Sequence, residues 1–181
     1  MVYGLNYDVR FRLRSFIPNF FILFIHNTIM PRRVQSTIRE DFYETPEYAI
    51  LPILKYINPN VKVIWEPTHG NGAISNILIK LGYTVIKTDM YPKTEDTIQF
   101  DFLNDTPTFY FDCIIFNPPF SNKTKFLEMA VKQCHNTSKQ FIFICPLTVM
   151  ETPSRSFIFN KHKLSIINLS KRVQYMRKSD T

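Results

Sequence analysis

Three observations on this chain of 181 residues predict an α/β fold. Short, continuous apolar runs recur along it, and each ends at a breaker or a polar turn. Such runs fit strands buried on both faces of a parallel sheet. Helix-length segments lie between them, an alternation that builds a mostly parallel sheet with helices on both faces. The sharpest run, Cys113 to Phe116, stops at Asn117-Pro118-Pro119-Phe120. Two prolines cannot continue a ladder, because each lacks an N–H and has a fixed φ.

The elements follow in order. Thr45 is placed to cap a helix, with Pro46 at its first position and Glu47 adding charge to its first turn. That helix is expected to reach about Ile57, strained by Pro52. Val61–Trp65 reads as a buried strand, and Glu66-Pro67-Thr68-His69-Gly70-Asn71-Gly72 as the loop after it. Ala73–Leu81 fits a helix closed by Gly82. Thr84–Thr88 is the next strand, ending at Asp89, and a short strand near Ile98–Phe100 runs into Asp101-Phe102. After the strand Asp112–Phe116 come a helix over Lys123–Cys134 and a strand over Gln140–Cys145, ended by Pro146. A helix around Ser154–Lys161 and a strand at Leu164–Leu169 complete the series.

The first 40 residues stand apart from the domain expected over residues 41–181. Arg10, Arg12 and Arg14 precede an apolar run from Phe16 to Met30, interrupted by Pro18, Asn19, His26 and Asn27. Three readings stay open: an upstream extension with Met30 as the functional start, an extra strand or helix, or a targeting or membrane-contacting segment. The run lacks a small-residue cleavage site and is too short and polar for a confident span, so no stable membrane association is expected.

A hydrophobic content of 45% excludes a disordered chain. Cys113, Cys134 and Cys145 have no metal-ligand spacing and suggest no disulfide framework, which favours the cytoplasm or another reducing intracellular compartment. No metal site is expected. The net charge of +7 is uneven. Residues 1–40 and 161–181 together hold 12 Lys/Arg and 3 Asp/Glu, whereas residues 41–160 hold 10 and 12. Basic ends on a slightly acidic core suit a polyanionic partner.

The candidate chemistry gathers at the carboxyl edge of the sheet, where ligands bind in open α/β folds. Asn117-Pro118-Pro119-Phe120 puts a rigid turn, an amide and an aromatic ring there. Gly70 and Gly72 permit positive φ and a close approach of backbone to ligand. Asp89, 19 residues after Gly70, is placed to accept hydrogen bonds from ribose hydroxyls. Asp101 and Phe102 follow one strand later; a helix cap at Asp101 and a core Phe102 are the alternative explanation. His69 reads as a loop residue rather than a base.

Together these motifs resemble the amino-methyltransferases that methylate exocyclic amines of nucleic-acid bases, most closely small DNA adenine methyltransferases of the phage or viral kind. The resemblance spans roughly Asp41 to Tyr175. It implies a Rossmann-like methyltransferase fold and S-adenosylmethionine as cofactor. It assigns Asn117, Pro118, Pro119 and Phe120 to catalysis: the Asn117 amide oxygen and the Pro118 carbonyl accept the hydrogens of the target amine, and Phe120 stacks on a flipped base. The loop from Glu66 to Gly72 would contact the methionine part of the cofactor, although the family usually has Asp where this chain has Glu66. Asp101 would meet the cofactor's adenine amine and Phe102 its ring. Tyr43 and Thr45, within Asp41-Phe42-Tyr43-Glu44-Thr45-Pro46-Glu47, would close over its carboxylate.

Arg172-Val173-Gln174-Tyr175 resembles the start of the family's last hairpin, so the sheet is expected to lack its last strand. No separate target-recognition region is visible. A protein partner supplying recognition is therefore also expected, with Lys123 and Lys125 available for phosphates. The expected acceptor is adenine in DNA. An RNA base or a protein glutamine amide is the alternative enzyme reading, and an inactive binding module of the same fold is the other.

Overall fold

The computed structural model describes residues 21–26, 44–169 and 173. Among these residues are seven strands: β1 (Phe21–His26), β2 (Val63–Glu66), β3 (Thr84–Asp89), β4 (Ile98–Gln99), β5 (Cys113–Phe116), β6 (Gln140–Pro146) and β7 (Ser165–Asn168). Four α-helices accompany them: α1 (Glu47–Ile50), α2 (Ala73–Lys80), α3 (Lys123–Cys134) and α4 (Pro153–His162). The strands form one sheet in the order β4-β3-β2-β5-β6-β1-β7, and each pairing is parallel. An α/β fold with a parallel sheet is thus the architecture.

The two faces of the sheet have different chemistry. Along β5 and β6 the side chains alternate strictly, as the strand period requires. Ile114, Phe116, Phe141, Phe143 and Cys145 face a largely aromatic cluster with Leu127 and Val131 of α3 and Ile158 and Phe159 of α4. Cys113, Ile115, Ile142 and Ile144 face an isoleucine-rich cluster with Ile50 of α1, Ile53 after it, and Ile74 and Leu78 of α2. The helices therefore cover both faces, and Cys113, Cys134 and Cys145 are all buried. Trp65 of β2 sits at the centre of the aromatic side, with ring centroids 5.4 Å from Phe100 and 5.2 Å from Phe102.

Most expected elements lie within two residues of their observed bounds. The segment after Thr45 differs. Pro46, not Thr45, is the residue before α1, and no side chain caps that helix. After one turn it tightens into a 3-10 helix, Leu51–Tyr56, with Pro52 in its first turn, because Pro52 has no N–H to continue α-type bonding.

Of the readings left open for residues 1–40, the extra strand is the one observed over Phe21–His26, and β1 lies inside the sheet. It pairs with β6 from Phe21↔Phe141 to His26↔Pro146 and with β7 from Ile22↔Ser165 to Ile25↔Asn168. The apolar run that looked foreign is continuous enough to fill an internal strand position. Of the expected last hairpin, Val173 is described and buried, whereas Arg172, Gln174 and Tyr175 lie outside the described residues. Tyr43 also lies outside them. No helix among the described residues is long and apolar enough to cross a membrane.

Candidate functional site

The sheet order creates a crevice before any side chain is considered. From β2 the chain moves outward to β3 and β4, then returns to place β5 on the other side of β2. Loops leaving β2 and β5 therefore diverge in opposite directions. Their carboxyl ends flank a topological switch point, the usual ligand position in open α/β sheets. A cavity of about 630 Å³ lies there, within the range of about 300–1,000 Å³ typical of small-molecule sites.

Most of the expected site residues converge on this cavity. Thr45, Glu66, Gly70 and Asp89 line it from the first half of the chain. Asp101, Phe102 and the run Asn117, Pro118, Pro119 and Phe120 line it from the second. Gly72 does not. It adopts φ +84°, and a Cβ on it would meet His69 Nε2 at 2.9 Å. Its glycine is required by the turn into α2 and by the imidazole beneath it, not by close approach to a ligand.

The loop after β2 is braced from several directions. The His69 N–H donates to the Thr88 carbonyl at 3.0 Å. The buried His69 ring bridges Ser75 Oγ through Nε2 at 2.8 Å and Thr97 Oγ1 through Nδ1 at 2.7 Å. Burial, and secondarily the Lys87 ammonium, lowers the imidazole pKa, so a neutral ring joins two hydroxyls. Its place is structural, in line with its reading as a loop residue. Gly70 takes φ +57°, and its N–H donates to Asp89 Oδ2 at 2.8 Å. Asp89 Oδ1 accepts the Tyr91 N–H at 2.9 Å. Each oxygen keeps a second lone pair for an incoming hydroxyl.

Glu66 is the most unusual group of the site. It is 1% exposed, and Ser75 reaches it through side chain and backbone, yet its Oε2 has no hydrogen-bond partner among the described residues. Burial pushes its carboxyl pKa well up, and the nearby Asp89 adds to the rise.

Asp101 is engaged inside its own turn. Its Oδ1 accepts the Leu103 N–H at 2.9 Å and its Oδ2 accepts from Asn104 Nδ2 at 2.7 Å. That is cap chemistry for the turn after β4, present alongside its place in the lining. Phe102 is a core ring that touches the cavity, stacked on Phe126 with centroids 5.5 Å apart.

Asn117 ends β5 with a divided amide. Nδ2 donates to Thr45 Oγ1 at 2.9 Å, while Oδ1 is buried and without a partner among the described residues. The Asn117 carbonyl accepts from Thr68 Oγ1 at 3.2 Å. Pro118 is buried behind it, and Phe120, 8% exposed, opens the short 3-10 turn into α3.

Some contributors carried little sequence signal. Ser75 and Thr97 support the loop from α2 and the approach to β4, with no motif to mark them. Met90 and Tyr91 form an exposed apolar rim, and their position directly after Asp89 was the available clue. Among the described residues, no group of three or more His, Cys, Asp or Glu is placed to hold a metal ion. No protein-family model matches the chain, and no curated protein matches it in sequence.

Proposed function

We propose that this chain transfers a methyl group from S-adenosylmethionine to the exocyclic amine of adenine in DNA, within a Rossmann-like methyltransferase fold. The observation that carries this reading is the buried, unpartnered Oδ1 of Asn117 at the carboxyl end of β5. A buried acceptor left without a donor costs about 1–3 kcal/mol, and such a cost persists where a ligand supplies the missing donor. An amine hydrogen is a donor of the required kind.

The lining also suits the cofactor. Glu44, Asp89 and Asp101 line the cavity, with Lys93 as a basic counterpart, so the balance favours a ligand carrying positive charge. Asp89 would hold ribose hydroxyls, and the buried carboxyl of Glu66 offers a hydrogen-bonding group to the methionine part. S-adenosylmethionine, when bound, supplies an electrophilic methyl on a positively charged sulfur and a neutral thioether as leaving group.

The protein's own part is positioning and electrostatics. An adenine amine is a weak nucleophile because its lone pair is delocalised into the ring. Asn117 Oδ1 and the Pro118 carbonyl accept its hydrogens, favouring the pyramidal, nucleophilic form and the positive charge that develops on nitrogen. Pro118 and Pro119 hold those acceptors in place before substrate arrives. Phe120 supplies a flat surface beside a base taken out of the stack. The basic ends of the chain attract the polyanion.

The test is transfer of a labelled methyl group from S-adenosylmethionine to unmethylated DNA and to RNA, with Asn117→Ala as control. Label on DNA adenine that vanishes in the control supports the reading. Label on RNA alone moves the acceptor to an RNA base. Cofactor binding without transfer to either polymer points to another acceptor, to a missing partner, or to a binding module.

A further inference from the structure

We infer that Thr45 is a positioning residue for the Asn117 amide, acting on the acceptor end of the site rather than on the cofactor. This inference rests on the methyl-transfer reading above. It departs from the resemblance, which would place Thr45 over the cofactor carboxylate.

The geometry begins with a helix that needs no cap from Thr45. Pro46 precedes α1, and no side chain caps the helix. The Thr45 hydroxyl is thereby released from its expected local duty. Thr45 is 5% exposed, and its Oγ1 accepts a hydrogen bond from Asn117 Nδ2 at 2.9 Å across 72 residues of sequence. The last torsion of an asparagine side chain is broad and roughly two-fold, so an unrestrained amide presents either its oxygen or its nitrogen. With Nδ2 committed to Thr45, the end left over is Oδ1, the unpartnered acceptor. Thr68 holds the Asn117 carbonyl at the same time. Two threonines on two different loops thus fix both the side chain and the backbone of one residue.

The consequence is selective. A site that presents an acceptor takes a group with N–H to donate, such as an amino-bearing base. A base bearing a keto oxygen at that position would set acceptor against acceptor. Small displacements of a positioned group can cost about 100-fold in rate.

The experiment uses the full chain with ¹⁵N-labelled asparagine, in wild-type, Thr45→Val and Thr45→Ser forms. Thr45→Ala is a second hydroxyl-free variant should valine not be accommodated. The Asn117 side-chain amide signals, assigned by their loss in Asn117→Asp, are expected to show one slowly exchanging hydrogen in wild type. Fast exchange in the hydroxyl-free variant, with protection restored in Thr45→Ser, supports the contact. Unchanged amide signals in the hydroxyl-free variant overturn it. In parallel, turnover is expected to fall by about 10- to 100-fold in Thr45→Val with cofactor Kd unchanged, and to recover largely in Thr45→Ser. A raised cofactor Kd with unchanged turnover overturns the positioning role in favour of a cofactor contact. The amide signals report on the contact even if no polymer is methylated, so failure of the methyl-transfer reading is told apart from failure of this one.

Discussion

The Gly70 N–H donates to Asp89 Oδ2 at 2.8 Å, tying the loop after β2 to the end of β3. The same carboxylate accepts the Tyr91 N–H at 2.9 Å, so one side chain sets the shape of both loops that border the cavity. Hydrogen bonds to a charged group are worth about 1.5–3 kcal/mol each. On the methyl-transfer reading proposed above, Asp89→Ala is expected to weaken S-adenosylmethionine binding by about 10- to 100-fold, because it would remove a ligand contact and loosen the cradle together. Asp89→Asn should fall between, since its amide can accept only one of the two N–H groups. Isothermal titration of the three proteins decides this, and an unchanged Kd in Asp89→Ala would remove Asp89 from the site.

Glu66 gives a prediction in pH. Its ordinary pKa is 4.5, and burial raises the folded-state value well above that. The folded protein therefore binds this proton more tightly than the unfolded chain does. The stability so contributed is fully present below the unfolded value and is lost as pH rises through the folded value. Glu66→Gln keeps the shape without the ionisation. Wild type should lose stability relative to Glu66→Gln steadily above pH 4.5, levelling once the folded-state group has ionised. Urea unfolding of both proteins from about pH 5 to about pH 9 measures the difference. Parallel curves would mean that Glu66 is already ionised when folded.

Much of this arrangement was legible because it is local. Cys113–Phe116 is a continuous apolar run with a double-proline stop, so both the strand and the edge at which it ends follow from adjacent residues. Asp89 could be placed because it ends β3, and Gly70 because it lies in the short loop between β2 and α2. What was not legible depends on packing between distant segments. Thr45 looked like a helix cap, since nothing nearby reveals an Asn117 amide 72 residues away. Gly72 looked like part of a ligand cradle, since only the folded loop shows His69 beneath it. Asp101 has the spacing of a ligand carboxylate and also of a turn cap, and Leu103 and Asn104 reveal the cap in the structure.

Gly72 and Gly82 form a matched pair for separating strain from contact. Both have positive φ, at +84° and +90°. A Cβ on Gly82 meets nothing within 4 Å, whereas one on Gly72 meets His69 Nε2 at 2.9 Å. Gly82→Ala is expected to cost about 1–2 kcal/mol from the left-handed backbone alone. Gly72→Ala should cost more, because His69 must also shift and its bonds to Ser75 and Thr97 loosen. Chemical denaturation of the two variants gives the comparison. Equal losses would show that His69 gives way freely.

The position of β1 carries the last prediction. β6 pairs with β5 on one side and with β1 on the other, while β7 pairs with β1. Removing β1 therefore does more than trim an edge. It leaves the outer backbone of β6 unpaired and separates β7 from the sheet, and an exposed apolar edge invites association with other chains. A chain starting at Met30 should consequently be less stable and prone to aggregate. Amides of Phe141 to Cys145 that bond toward β1 should lose protection from hydrogen exchange, while those bonded toward β5 keep theirs as long as the remainder stays folded. The effect is directional along one strand, which distinguishes it from general loss of stability. Full protection of β6 on both sides, with an unchanged melting temperature, would mean that β1 adds nothing to the sheet.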